Sequence, residues 1–219
     1  MYYRQGLLDK LEKKCGWLAI RNLMLILVGA MAIVFIMDRM LMPMTGVSLA
    51  YTLNFDRAAI LSGQVWRIFT FLFLPPEYNL LFLVILLYLY YLIGTTLENQ
   101  WGAFGFTVYY LLGVVGAIIS GFITGYATNE YLNLSLMFAF AMLNPNFELL
   151  LFFFIPVKMK WLALIDAVGF VLLFVLESWA GRLSLIFAVI NVFIFFTPHF
   201  IDWVKSLWRR WKWRQNFKK

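Results

Sequence analysis

Cysteine and charge are both scarce in this sequence. The chain has one cysteine among its 219 residues, which excludes intrachain disulfides and the metal and cluster sites that need several thiolates. Charged residues make up 13% of the chain and hydrophobic residues 63%, whereas soluble domains carry about 25% charged and about 45–50% apolar residues. An ordinary soluble domain is therefore excluded, and we predict an all-α polytopic membrane protein.

A typical cleavable signal peptide is also lacking, because the first long apolar run starts only near Trp17 and contains no small-residue cleavage site. We expect this run to be retained as a span. Each crossing takes about 20 apolar residues, so the length suits one membrane domain and leaves no room for a second folded domain. We predict a cytoplasmic amphipathic segment at 1–16, a membrane domain at 17–200 and a basic, tryptophan-rich tail at 201–219.

The apolar runs predict six transmembrane helices. The second and third must be antiparallel, because only residues 98–102 join them, and the fourth is short for a crossing at about 1.5 Å per residue. The long loop 38–79 and the apolar segment 149–157 are expected at the membrane interface. The six predicted spans are 17–37, 80–97, 103–126, 131–143, 161–176 and 183–197.

Glycines in the third predicted span indicate close helix packing, since small residues let backbones approach each other in lipid. They are Gly113, Gly116, Gly121 and Gly125.

Lysine and arginine are distributed unevenly about these spans. Most would lie on one side, and only Arg39, Arg57, Arg67 and Arg182 fall opposite. The positive-inside rule therefore predicts cytoplasmic termini. In the tail, basic residues alternate with tryptophans, and each basic residue contributes about 1 kcal/mol at an anionic leaflet. We expect the tail to bind anionic headgroups; contact with nucleic acid or a ribosome is the alternative, and no nucleic-acid partner is expected.

Two segments resemble the rhomboid superfamily, which comprises intramembrane serine proteases and non-proteolytic relatives such as the derlins. The first is GQVWRIFT and the second IGTTLENQWGAFGFTVYY, and the segment PNFELLLFFFIPVKMKW is similar to a later connection of that family. The resemblance covers 63–196 and implies a rhomboid-like six-transmembrane-helix bundle. It implies scaffold roles for Gly63, Gln64, Trp66, Arg67, Gly94, Leu97, Glu98, Trp101 and Gly102.

Physical reasons support four of these positions. Arg67 in an interfacial loop must find carbonyls or a carboxylate, because an unpaired charge is costly there. Trp66 suits an interface anchor, so the pair would pin the loop. Glu98 is expected to cap the free amides of the following helix, and Gly102 to permit the sharp turn.

The catalytic motif that the resemblance would imply is missing. Rhomboid proteases use a Gly-x-Ser-Gly serine at the start of span four and a histidine inside span six, but these positions fall here near Glu130 and Leu185. Ser135 is the nearby substitute, and the only histidine is His199. These two would lie roughly 20 Å apart at 1.5 Å per residue, whereas proton transfer needs about 3 Å. We predict no catalytic residue, metal or cofactor.

Asp166 in span five and Asn191 in span six are further polar residues within the predicted membrane domain. A charge at mid-bilayer costs about 2.5–3.5 kcal/mol. We expect Asp166 to be paired or protonated near the headgroups beside Trp161, with a proton or ion pathway as the alternative. Asn191 is expected to bond a neighbouring helix, contributing about 0.6 kcal/mol or more.

Together with the resemblance, these features predict a catalytically inactive rhomboid-like protein that binds or handles transmembrane segments of client proteins. The alternatives are a rhomboid-type intramembrane serine protease with an atypical active site and a transporter of protons or small solutes. We expect an integral protein of a bacterial plasma membrane rather than of the endoplasmic reticulum.

Overall fold

The computed structural model describes residues 6–151, 155–179, 181–183, 185–187 and 189–193. The tail at 201–219, His199 and the end of the sixth predicted span at 194–197 lie outside these residues.

The described chain is mostly helical. The helices are α1 Gly6–Cys15, α2 Leu23–Thr45, α3 Ala50–Leu53, α4 Arg57–Leu61, α5 Arg67–Thr70, α6 Leu80–Thr124, α7 Glu130–Leu143, α8 Met159–Leu176 and α9 Gly181–Phe193, and the strands are β1 Glu148–Leu151 and β2 Ile155–Lys158. Short 3₁₀ turns occupy Gly16–Leu18 and Phe71–Phe73. Three helical stretches are long and apolar enough to cross a membrane: Leu11–Thr45, which contains α2, Leu80–Thr124 and Met159–Leu176.

The first apolar helix is displaced from its predicted position. α2 begins after Asn22, which has a left-handed φ of 54°, and it continues past the predicted end at residue 37 to Gly46, with φ 69°. The polar residue that suggested a loop, Asp38, is buried in the helix. Its carboxylate accepts hydrogen bonds from Ser48 Oγ at 2.8 Å and from the Leu49 amide at 2.5 Å. Because the charge is satisfied there, the helix does not end at Asp38.

The long helix α6 is broken at a single residue, Gly102, with φ 79° and ψ 160°. Tyr78, just before α6, and Tyr126, just after it, line the same cavity, so the halves 80–101 and 103–124 fold back antiparallel. The turn predicted at Gly102 is confirmed. The rest of the predicted connection is wrong, because residues 98–101 are helical.

The bundle has two distinguishable ends. At the Gly102 end, Gln100 Nε2 donates to Asn144 Oδ1 at 2.8 Å, just before the β1–β2 hairpin. At the loop end, which carries α3 to α5, Arg57 donates to the Phe122 carbonyl at 3.0 Å. These contacts place the two ends of each half of α6 on opposite sides of the bundle.

Strands β1 and β2 correct the all-α prediction. They pair antiparallel from Glu148 opposite Lys158 to Leu151 opposite Ile155. The segment 149–157 is too short and too interrupted by Pro156 for a helix. Pairing two short strands instead satisfies backbone groups that would otherwise be free.

In the core, glycines lie where the side chain of a neighbouring element packs directly against the helix backbone. A Cβ on Gly94 would lie 2.3 Å from Met24 Cγ in α2, and one on Gly113 would lie 2.1 Å from Leu132 Cδ1 in α7. At Gly121 the neighbour is the Phe55 ring, 2.6 Å from such a Cβ. The predicted close packing is confirmed at Gly113 and at Gly121, where the partner is a loop side chain. It is wrong at Gly125, which ends α6 with φ 95° and where an added Cβ meets nothing within 4 Å.

Candidate functional site

Trp66 and Arg67 tie the loop end together through the last carbonyls of α3. Trp66 Nε1 donates to Thr52 O at 3.2 Å, Thr70 Oγ1 to Leu53 O at 2.8 Å and Arg67 Nη1 to Asn54 O at 3.0 Å. The final carbonyls of a helix have no partner within it. Three consecutive residues there are therefore satisfied by side chains in or beside α5, and the expectation that Arg67 meets carbonyls is confirmed.

Arg67 is buried, with 7% of its surface exposed. Its Nε also donates to Gln64 Oε1 at 2.7 Å, and Nη1 donates to Asn54 Oδ1. Gly63, with φ 107°, follows α4 and turns the chain into Gln64. Neutral oxygens surround this guanidinium, which fits a scaffold role.

Glu98 performs a different task from the predicted one. Its Oε1 accepts from the Asn22 amide at 2.7 Å, so it holds the turn before α2 and does not cap the following helix. The reason is that α6 remains helical through Trp101, which leaves no free helix start beside Glu98. Thr107 accepts from the Ile20 amide at 3.1 Å, so both halves of α6 hold the same turn.

Leu97 is fully buried, and the Trp101 ring lies 5.2 Å from the Tyr109 ring. Gly94 packed on Met24 holds the start of α2 against α6, and the contact between the two rings joins the two halves of α6.

Ser135 is buried in α7 beside Tyr109. Its Oγ donates to Leu132 O at 2.7 Å, and the Tyr109 hydroxyl lies 3.1 Å from this Oγ and 3.0 Å from the Ser135 carbonyl. A serine nucleophile needs a neighbouring base to take its proton. The contacts described around Ser135 Oγ are with a backbone carbonyl and a phenol, which gives the hydroxyl a packing role between α6 and α7.

The positions that would carry the rhomboid catalytic pair are Glu130, exposed at the start of α7, and Leu185, fully buried in α9. His199 lies outside the described residues, so the predicted separation between Ser135 and His199 stays a prediction.

Four polar side chains from different parts of the bundle meet inside it; we name them the intramembrane cluster. The Tyr90 hydroxyl lies near the Asn133 amide without a hydrogen bond of good geometry between them. It is close enough to the Glu130 and Asp166 carboxylates to interact with them electrostatically, as Tyr110 is with Tyr90. These residues come from the two halves of α6, from α7 and from α8. The fold therefore gathers acceptors and donors among apolar helices.

Most buried polar atoms in proteins have a hydrogen-bond partner, but several in this cluster do not. Among the described residues, the Tyr110 hydroxyl, both amide atoms of Asn133 and Asp166 Oδ2 are buried without one. Each such atom costs about 1–3 kcal/mol. The cluster therefore has the capacity to bond a further polar group.

Asp166 lies in the first half of α8, and its position near the headgroups stays a prediction. It lies about 10 Å along α8 from Met159 at 1.5 Å per residue, and its partly buried side chain faces Tyr90. No described lysine or arginine pairs with it. Packing explains the orientation: Phe170, one turn further on, contacts Phe138 of α7 at 6.3 Å between ring centroids, which turns this face of α8 inward.

Side chains on the C-terminal part of α8 face outward. The run 171–176 is exposed throughout, and the helix packs chiefly on α7 and β2. Tyr90 and Asp166 are themselves only partly buried. The intramembrane cluster is therefore accessible from the side of the bundle, where the first half of α6 and α8 flank α7.

Asn191 in α9 is buried, and its Nδ2 donates to the Tyr109 carbonyl at 3.3 Å. The predicted bond to a neighbouring helix is confirmed. A Cβ on Gly113 would lie 2.9 Å from this Nδ2, so glycine at that position gives the amide access to the backbone of α6.

Sequence reasoning found Asp166 but missed Tyr90, Tyr110 and Asn133. Asn133 is polar within the apolar run of α7, which was an available signal. The tyrosines occur in tyrosine-rich apolar runs that also suit lipid interfaces, and only the fold brings them to Asp166.

Within the described part of the chain, no group of three or more His, Cys, Asp or Glu side chains is arranged to hold a metal ion. Comparison with known protein families, curated proteins and solved structures finds no match to the chain.

Proposed function

We propose that this is a catalytically inactive, rhomboid-like membrane protein that binds transmembrane segments of client proteins. The observation that carries the proposal is the intramembrane cluster, whose buried polar atoms lack partners among the described residues and whose Tyr90 and Asp166 side chains are partly exposed at the side of the bundle. Ser135 supports the non-catalytic part, since its hydroxyl is engaged by Leu132 and Tyr109. The client would enter from the bilayer, where the apolar faces of α6 and α8 already lie.

A six-span topology fits this role. Gly102 divides α6 into two segments of about 33 Å each at 1.5 Å per residue, and α2, α7, α8 and α9 supply the other four spans. The short α7 is about 21 Å long, against a hydrocarbon core of about 30 Å. A short span thins the bilayer around it at modest cost, which would ease the approach of a client helix.

The chemistry of the cluster specifies the client. A basic or amide side chain near the middle of a transmembrane helix is costly in lipid, by about 2.5–3.5 kcal/mol for a lysine. Asp166 and the Asn133 carbonyl oxygen offer it acceptors, and the Asn133 NH₂ offers it a donor. We infer that clients carry such a residue, and that each hydrogen bond contributes about 0.6–1.7 kcal/mol.

Orientation follows from the basic residues. The Gly102 end carries Lys158 and Lys160 beside the β1–β2 hairpin, so we place this end and both termini in the cytoplasm under the positive-inside rule. The loop end then faces outward from a bacterial plasma membrane. The tail would add contacts to anionic headgroups.

Disulfide trapping tests the location of the client. Cys15 is the only cysteine, so a Cys15→Ser background contains no native thiol. Ala167→Cys then places a single thiol on the partly buried face of α8. The matched control is Ile165→Cys, on the face where Ile165 is 66% exposed. A single-span peptide with a central lysine and a nearby cysteine should cross-link to position 167 in liposomes much more than to position 165. Equal trapping at both positions would refute the proposed site.

A further inference from the structure

A second site lies at the loop end, one turn of α7 from Asn133 of the intramembrane cluster. It is a cavity of about 300 Å³ between α3, the segment before α6 and the start of α7. Its wall includes three tyrosines, Tyr51, Tyr78 and Tyr126, together with Glu130. Ligand pockets start at about 300 Å³, so this one suits a small group.

A negative charge in this cavity has no cationic partner among the described residues. Partial burial, and then the nearby Glu177 carboxylate, raise the pKa of the otherwise exposed Glu130 above its ordinary value. The ion pair found in the described part of the chain, Lys158 with Glu148 at 3.9 Å, belongs to the Gly102 end. Glu130 and Glu177 together therefore form an uncompensated acidic pair.

The arginines of the loop end are engaged elsewhere. Arg39 donates to the Tyr78 carbonyl, Arg57 to the Phe122 carbonyl, Arg67 to the Asn54 carbonyl and Arg182 to the Val175 carbonyl. Each of these guanidinium groups donates to a backbone carbonyl, and no ion pair between them and Glu130 is formed in the described part of the chain.

Aromatic rings surround the same space. Tyr126 lies close enough to both Tyr78 and Glu130 to interact with them electrostatically. Tyr51 lies at the rim, with 72% of its surface exposed. The faces of such rings attract cations, and cages of them recognise methylated ammonium groups. Tyrosine rings beside a carboxylate are complementary to an organic cation.

An anion is a poor fit to this cavity. The start of a helix can bind anions through its free amides, but the Glu130 amide already donates to Thr128 Oγ1 at 3.2 Å. The Glu130 carboxylate would also repel a phosphate or carboxylate group.

We propose that this cavity binds an organic ammonium group, from either a lipid headgroup or a free small amine. Tyr51, Tyr78 and Tyr126 contact the cation with their rings, and Glu130 supplies the opposing charge. The wall of this cavity contains none of Tyr90, Asn133 and Asp166, although Glu130 lies close enough to Tyr90 to interact with it electrostatically.

Binding is tested with the full chain in nanodiscs of phosphatidylglycerol, titrated with tetramethylammonium, choline or ethanolamine and followed by calorimetry. We expect saturable binding that Glu130→Gln weakens by about tenfold through loss of the charge attraction. Tyr51→Leu, at an exposed position that folding tolerates, should weaken it roughly 2- to 5-fold. Glu148→Gln, which removes a carboxylate at the other end, is the matched control and should leave binding unchanged.

A parallel arm uses nanodiscs containing phosphatidylethanolamine or phosphatidylcholine and native mass spectrometry of the released complex. A lipid headgroup is the source if the unaltered protein retains the amine lipids, Glu130→Gln does not, and free amines do not bind. Binding of free amines identifies a soluble ligand. Failure of every amine to bind, or binding that Glu130→Gln and Tyr51→Leu both leave intact, overturns the proposal.

Discussion

The Tyr109 hydroxyl lies 3.1 Å from Ser135 Oγ, and this Oγ donates a hydrogen bond to the Leu132 carbonyl at 2.7 Å. The serine that most resembles a nucleophile in the sequence is therefore bonded on both sides. This contact leads to the first prediction, which concerns stability.

Ser135→Ala should lower the free energy of unfolding by about 1–3 kcal/mol, because it leaves the buried tyrosine hydroxyl with one partner fewer. In a cycle with Tyr109→Phe, the two changes should be coupled by about 0.6–1.7 kcal/mol. Unfolding in mixed micelles measures both quantities. Strict additivity of the two substitutions would contradict the described contact.

Arg67→Lys should destabilise the protein by about 1.5–3 kcal/mol, the value of hydrogen bonds to a charged group. An ammonium cannot reproduce the fork that reaches Gln64 and Asn54 together. The matched control is Arg57→Lys, also at the loop end but exposed, for which we expect a loss below about 1 kcal/mol. Thermal melting in detergent compares the two, and similar losses would show that Arg67 does not organise the loop end.

Gly94→Ala should destabilise the contact between α2 and α6 by about 1–3 kcal/mol, since overfilling a packed site forces the neighbours apart. The new Cβ would meet Met24 Cγ at 2.3 Å. Gly29→Ala in α2 is the control, as a Cβ there meets nothing within 4 Å, and it should be neutral or stabilising. Equal melting temperatures for the two variants would refute this packing.

Binding of the ammonium group at the loop end should weaken in acid. The cation needs the ionised form of Glu130, whose pKa is raised above 4.5 by burial and by Glu177. Protonation therefore begins at a higher pH than for an ordinary glutamate, and affinity falls as pH drops through that raised value. Tyr90, Tyr126 and Tyr131 also interact electrostatically with this carboxylate but remain neutral in acid.

Calorimetric titration with choline from pH 8 to about pH 4 follows this loss. Glu130→Gln should bind weakly and with little dependence on pH. A pH profile that is the same in Glu130→Gln as in the unaltered protein would assign the titration to another group.

Hydropathy predicted the elements whose bounds depend on local sequence. α7 and α8 lie within a residue or two of the predicted 131–143 and 161–176, and Gly102 turns the chain as glycine allows. α2 was misplaced because Asp38 was interpreted as a loop residue. Its partners, Ser48 and Leu49, become visible only when the chain after Gly46 folds back.

The candidate sites were harder to predict because they depend on contacts between distant residues. Glu98 meets Asn22 across 76 positions of sequence, so a local capping rule assigned it the wrong partner. The candidate role of Asp166 depends on its proximity to Tyr90 and Asn133, each on a different helix. The hydrophobic periodicity within one helix does not show which residues of other helices lie next to it.

The most direct test of the central claim measures the association of donor-labelled protein with acceptor-labelled single-span peptides in liposomes. Energy transfer reports the association, and gel electrophoresis of the same samples reports whether the peptide is intact. A peptide with a central lysine should bind about 3- to 20-fold more tightly than its all-leucine counterpart, stay intact, and lose that advantage with Asp166→Leu. Equal binding of both peptides, or cleavage that Ser135→Ala abolishes, would contradict the account.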